Sequence, residues 1–190
     1  MVAARSPSAR FVFIERDPVL AALCECNIKR QSIDGAVIAA DVLDKVARTA
    51  GPLRDIRADL VLTNPPFLDE ERSRVSPDAN RAAAHSLPAG GLDAWLRACA
   101  ALLEPKGMLV LIHRSDRIAD CVAALSGRVG GLALRFVHPG AGEPAIRVII
   151  SGVKGSRAPL RILPPVFLHQ ADGAFTAQAA AIHQGEAYLA

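Results

Sequence analysis

Asp59-Leu60-Val61-Leu62-Thr63-Asn64-Pro65-Pro66-Phe67 is the stretch on which the fold turns. Asp59 to Thr63 is a short apolar run of the length of a buried strand. Asn64-Pro65-Pro66 stops it, because two consecutive prolines remove ladder donors and prevent a helix from continuing. Reading outward, the same unit recurs on both sides. Toward the N-terminus, Phe11 to Ile14 is a buried-type strand followed by Asp17-Pro18 and a helix from Val19 to Arg30. Asp17 is placed to cap that helix, with Pro18 at its first position. Ala36 to Ala40 is a second strand, ending at Asp41. Toward the C-terminus, Gly91 to Leu103 is a helix around Trp95, closed by Glu104-Pro105-Lys106-Gly107. Met108 to Ile112 is a fourth strand, and Ile118 to Leu125 a further helix with Asp116 as its cap. Short apolar runs alternating with helices predict a mostly parallel sheet with crossover helices, an α/β fold.

After Gly127 the texture changes. Leu132 to Val137 and Ile146 to Val153 are strand-like and are joined through His138-Pro139-Gly140-Ala141-Gly142 with no helix between them. They predict an antiparallel hairpin at the sheet edge. Phe175 to Ala190 is Ala-rich and reads as a short final helix.

Composition agrees with a globule. Of 190 residues, 51% are hydrophobic and 22% charged, enough to bury a core and unlike a disordered chain. The length suits one domain across 1–190. No apolar run approaches the roughly 18 residues needed to cross a bilayer, and the N-terminus has no signal core, so the expected location is the cytoplasm. Cys24, Cys26, Cys99 and Cys121 form no paired knuckles, which argues against both disulfides and a metal site. The net charge of +3 is small. Its distribution is uneven: Arg128, Arg135, Arg147, Lys154, Arg157 and Arg161 face a single acid, Glu143. That bias suits a phosphate backbone, and equally suits a strand edge guarded by cations.

The end of the central strand carries the chemistry. Asn64-Pro65-Pro66-Phe67 resembles the catalytic motif of the class I, S-adenosylmethionine-dependent methyltransferases that act on planar amino groups. An exocyclic amine such as adenine N6 is a poor nucleophile, because its lone pair is delocalised into the ring. The resemblance implies that the Asn64 side-chain oxygen and the Pro65 carbonyl each accept one N–H, drawing the nitrogen toward tetrahedral geometry. Pro66 helps to fix that carbonyl, and Phe67 offers a face on which an extruded base stacks. It also implies a cofactor site. Glu15, at its strand end, would accept from the ribose hydroxyls; Asp41 would accept from the cofactor adenine amine; Val42 and Leu43 would pack on the adenine; and Asn64 would border the cofactor. Read alone, Glu15 is a solvated strand-end acid and Asp41 the cap of a Val42 to Ala50 helix. Their order, each at a successive strand end, favours the functional roles.

Further segments narrow the resemblance: His113-Arg114-Ser115-Asp116-Arg117, Ile146 to Gly155, Leu163-Pro164-Pro165 and Asp172-Gly173-Ala174-Phe175-Thr176. Together with the motif they are similar to the bacterial tRNA adenine-N6 methyltransferases. The implied cofactor is S-adenosylmethionine and the implied partner tRNA or another RNA, near the anticodon, with neither metal nor membrane. Oligomeric state is left open. Rival acceptors are an rRNA guanine N2, a DNA adenine or a protein glutamine. The rival of another class is a silent RNA-binding module.

One feature departs from the resemblance. Such enzymes open with a strand and a Gly-rich loop roughly 20 residues before the ribose acid. Here no Gly precedes Gly35. The expectation is therefore a Rossmann-like domain shortened at its N-terminus, with its first strand and Gly-rich loop missing. Leu68 to Pro88 is the expected loop over the target base. Its Arg72, Arg74 and Arg81 pair with Asp69, Glu70 and Glu71 or meet phosphate, the former being favoured. His85, His113 and His138 read as structural, and Cys24 and Cys26 as neutral fill.

Overall fold

The computed structural model describes residues 5–66, 68–69, 86–87 and 91–189. They fall into two compact units, Met1–Ile56 and Arg57–Ala190.

In the first unit, strand β1 (Phe11–Glu15) leads into helix α1 (Pro18–Arg30), β2 (Gly35–Ala39) and the short α2 (Lys45–Thr49). β1 and β2 pair in parallel, Phe11 opposite Gly35 and Glu15 opposite Ala39. Asp17 caps α1 as expected, its Oδ1 accepting from Val19 N at 2.8 Å and Leu20 N at 3.2 Å, with Pro18 at the first helical position. Among the described residues of this unit, Ala21, Ile28, Ala47 and Leu53 form the buried apolar set.

The second unit contains β3 (Ala58–Thr63), β4 (Leu68–Asp69), β5 (Ser86–Leu87), α3 (Gly91–Leu102), β6 (Leu103–Arg114) and a 3-10 turn (Ser115–Arg117). These are followed by α4 (Ile118–Leu125), β7 (Val129–Gly140), β8 (Arg147–Lys154), β9 (Arg161–Ile162), β10 (Val166–His169) and α5 (Ala177–Gln184). Its main sheet runs β10-β7-β8-β6-β3, with β9 paired to β7. β3 and β6 are parallel, as are β10 and β7; β8 runs antiparallel to both of its neighbours.

The expected hairpin is present as β7 and β8, but β8 inserts between β6 and β7, and β10 pairs on the far side of β7. The hairpin is thus one strand inside the margin. β6 begins at Leu103, five residues before the expected start. The ladder with β3 shifts register between Ala58 and Leu60, and this irregularity accommodates Pro105 and the left-handed Lys106 (φ 68°). Asp116 does not cap α4. Arg114 holds its carboxylate through Nε to Oδ1 at 3.0 Å and a second bond from Nη2, leaving the helix start without a side-chain cap.

The core lies under one face of this sheet. Leu96 and Cys99 of α3 and Cys121 and Leu125 of α4 pack on Leu109, Leu111, Leu134, Val148 and Ile150. Period-two alternation explains the strands: Leu109, Leu111 and His113 turn inward, whereas Met108 and Ile112 turn outward. At the start of β7 two backbones touch. A Cβ on Gly130 would lie 2.0 Å from the Ser156 carbonyl oxygen, so only glycine fits there.

Candidate active site

Each candidate residue stands at the carboxyl end of a strand, the end at which open α/β sheets bind ligands. In Met1–Ile56, Glu15 closes β1 and is half-buried. Its Oε1 accepts from Asp17 N at 2.8 Å, which folds the carboxylate over the turn that starts α1. The Glu15 carbonyl accepts from Ala40 N at 2.9 Å, so the two strand ends are tied together. Asp41 follows immediately. Its Oδ1 accepts from Leu43 N at 2.8 Å, and Asp44, not Asp41, caps α2. This overturns the capping alternative for Asp41: the helix begins three residues later than Val42, because Asp41 spends its side chain on the turn. Val42 and Leu43 are half-buried beside it. A carboxylate has two oxygens with two lone pairs each, so both acids keep acceptor capacity beyond these single bonds.

One cavity in this unit lies elsewhere. A space of about 180 Å³ lined by Ser6, Pro7, Phe11, Gln31 and Asp34 sits at the beginnings of β1 and β2, away from Glu15.

In Arg57–Ala190, Asn64-Pro65-Pro66 directly follows β3, whose last residue, Thr63, pairs with Leu111 of β6. Asn64 is exposed, Pro65 is fully buried and Pro66 half-buried. A buried proline flanked by an exposed amide anchors the backbone while presenting the polar side chain. Phe67 lies outside the described residues, as do Arg72, Arg74, Arg81 and His85 and the rest of 70–85. Behind the motif, Trp95 of α3 donates from Nε1 to Thr63 Oγ1 at 2.8 Å. Sequence reasoning singled out neither partner for the site. They are 32 residues apart, and no spacing rule joins a strand-end threonine to a helix tryptophan.

Near the end of β6, His113 is buried and desolvation holds its imidazole below the usual range, consistent with a structural role. His138 packs against Phe167 and lies 2.7 Å from the Glu143 carbonyl oxygen, bracing the β7–β8 connection. Burial likewise pushes the Cys121 thiol up to about 11, so it is core rather than nucleophile. Among the described residues, no group of three His, Cys, Asp or Glu is placed to hold a metal ion, and no helix is long and apolar enough to cross a membrane.

The basic tract is less free than its composition implied. Arg128 Nη1 binds Asp93 Oδ1 at 2.9 Å, Arg135 Nη1 donates to the Pro164 carbonyl at 3.0 Å, and Lys154 Nζ donates to the Leu103 carbonyl at 2.6 Å. Arg157 and Arg161 are exposed. Arg147 Nη1 also donates to the Ile146 carbonyl at 2.9 Å, so four of the six cations are engaged within the fold and the cationic surface is narrower than the sequence predicts.

No protein-family model matches the chain. It is 32% identical over 122 residues to the tRNA1(Val) (adenine(37)-N6)-methyltransferase of Porphyromonas gingivalis, a match covering 63% of this chain and 46% of the relative. The chain thus spans less than half the length of the curated relatives it matches. Among solved structures, it is similar to a predicted O-methyltransferase from Agrobacterium tumefaciens, with 28% identity and a TM-score of 0.80, covering 99% of this chain and 83% of that one. It is also similar to the methyltransferase subunit of a type I restriction-modification system from Streptococcus thermophilus. That match has 14% identity and a TM-score of 0.59, covering 92% and 41%. The fold is the Rossmann-like fold of the class I methyltransferases.

Proposed function

We propose that this chain transfers a methyl group from S-adenosylmethionine to adenine N6 of a tRNA near the anticodon, in the cytoplasm. The observation that carries the proposal is the Asn64-Pro65-Pro66 segment, seated at the carboxyl end of β3 with Pro65 buried and Asn64 exposed. The likeness to the Porphyromonas tRNA enzyme supports it.

The residues present fit part of the cofactor. Glu15 and Asp41 stand at the carboxyl ends of adjacent parallel strands with acceptor capacity to spare, which suits ribose hydroxyls and an adenine amine. Val42 and Leu43 supply apolar surface for the adenine ring. No glycine-rich loop for the methionine portion precedes Glu15 in this sequence.

When bound, S-adenosylmethionine supplies an electrophilic methyl group on a sulfonium. The protein's task is to make the amine a nucleophile. Asn64 Oδ1 and the Pro65 carbonyl oxygen accept its two N–H groups, which localises the lone pair on nitrogen and aims it away from both acceptors. Methyl transfer to that lone pair would leave the demethylated cofactor and release one N–H proton from the amine to solvent. No strong base is required, because the work is positioning and electrostatics. The acceptor pair also bears on the methyl transfer to oxygen named for the similar Agrobacterium protein. A hydroxyl has one hydrogen and would leave one of the two acceptors unmatched, whereas an NH₂ group satisfies both. Phe67 is assigned to stack the extruded base, and the exposed Arg157 and Arg161 to meet the RNA backbone.

The test is methyl acceptance from labelled S-adenosylmethionine by separate tRNA, rRNA, DNA and protein fractions, followed by nucleoside analysis. Label recovered as N6-methyladenosine from tRNA is expected. Label confined to protein, DNA or a guanine of rRNA rejects this acceptor. Salt-sensitive RNA binding with no label in any fraction identifies a silent binding module instead.

A further inference from the structure

We propose that Trp95 is a positioning residue for the amine clamp, acting through Thr63. It rests on the amine-transfer reading above and adds a residue to it. The segment to be held is short of backbone tethers. The β3–β6 ladder ends at Thr63, and Pro65 and Pro66 have no N–H to donate. The direction of the Pro65 carbonyl, one of the two proposed acceptors, is thus set by what fixes the chain on either side. On the downstream side the burial of the Pro65 ring contributes; on the upstream side the side-chain bond is Trp95 Nε1 to Thr63 Oγ1 at 2.8 Å. Thr63 immediately precedes Asn64, so a rotation about its backbone swings both acceptors at once.

The donor is itself rigid. Trp95 is half-buried and packs against the cluster that joins α3 to β6 and α4. An indole has only two side-chain torsions and one donor, so its position in the core fixes where the N–H points. A Thr hydroxyl that accepts from the indole is also restrained about its own torsion. The pair carries the order of the core to the edge of the site, at a bond roughly one residue from the reacting amine.

The experiment compares Trp95→Phe, Thr63→Val and Thr63→Ser in the full 190-residue chain, using steady-state methyl transfer to the accepted RNA. Trp95→Phe keeps an aromatic ring, smaller than the indole, and removes the donor; Thr63→Val keeps the shape and removes the acceptor; Thr63→Ser keeps the hydroxyl. Both bond-breaking variants are expected to lower kcat about 10- to 100-fold with KM for S-adenosylmethionine unchanged. Thr63→Ser is expected to restore most of the rate. The two losses should not add when combined, and neither should deepen the defect of Asn64→Ala, because all act through one clamp. Trp95 is the chain's single tryptophan, so its indole N–H gives one resonance. That resonance should move in Thr63→Val and stay in Thr63→Ser, which checks that the bond exists in solution. An unchanged kcat in Trp95→Phe, or a rise in cofactor KM alone, overturns the proposal while leaving amine transfer standing. A wild-type chain that labels no amine overturns the amine-transfer reading itself, before any variant is made.

Discussion

The candidate residues of the two units are held in different ways. In Met1–Ile56 the acidic strand ends are tied by local backbone bonds, Asp17 N to Glu15 and Leu43 N to Asp41, above a two-stranded sheet with a small buried set. In Arg57–Ala190 the Asn-Pro-Pro segment is tied by a long-range side-chain bond and a buried proline ring, on a sheet packed by α3 and α4. Local ties set the shape of a turn, whereas long-range ties transmit the order of a core. Cofactor binding is thus assigned to residues whose geometry is local, and the chemical step to residues whose geometry depends on tertiary packing.

That contrast can be broken by substitution. The largest effect is expected for Asn64→Ala, which removes an acceptor that the proposed amine clamp needs in the transition state. It should lower kcat about 10²- to 10³-fold with little change in RNA affinity. Equal losses in kcat and RNA affinity would mean that Asn64 only contacts the substrate. Glu15→Ala should weaken binding of S-adenosylhomocysteine by about 10- to 100-fold, read by calorimetry, because it removes charge-assisted bonds to the ribose. If it altered kcat alone, the division between the two units would be wrong.

Stability variants sharpen the comparison. Gly130→Ala places a methyl group against the Ser156 carbonyl and should cost about 1–3 kcal/mol in urea unfolding of the Arg57–Ala190 unit. The unfolding of Met1–Ile56 should be unaffected. The smallest effect concerns Asp93 of α3. Arg97 beside it, and Arg128 after that, hold its carboxyl below the ordinary value. A lowered folded-state pKa contributes stability above the unfolded carboxylate value, and that stability is lost as pH falls through the folded one. Because the pair is exposed, acidification through the carboxylate range should cost less than about 2 °C of Tm at this site. Asp93→Asn should remove that increment of pH dependence, and high salt should shrink it.

Much of this was legible in the chain itself. Phe11 to Ile14, Asp59 to Thr63 and Met108 to Ile112 announced strands through apolar runs cut by Pro, Gly or Asp. Asp17-Pro18 marked a helix start through cap chemistry that acts within three residues. The misreadings came from competition for a side chain and from pairings at longer range. Asp116 was assigned as a cap because a cap is a local pattern, but Arg114 competes for the same carboxylate. That β7 is not the margin of the sheet depends on β10 pairing along it, which no turn signal encodes. Charge alone left the basic tract open between a phosphate-binding surface and a guarded strand edge, and it could not show that Arg135 and Lys154 satisfy carbonyls at Pro164 and Leu103. For the site, residue types at strand ends marked Glu15, Asp41 and Asn64, but the Trp95 tether required the fold.

The most direct test of the account uses two anticodon stem-loops that differ at one atom group, the exocyclic amine of the target adenine, present in one and replaced by hydrogen in the other. Both are incubated with the chain and labelled S-adenosylmethionine, and methyl incorporation is counted. Two acceptors built for an NH₂ group predict label in the first RNA and none in the second. Equal label in both would place the methyl group on another atom and contradict amine transfer.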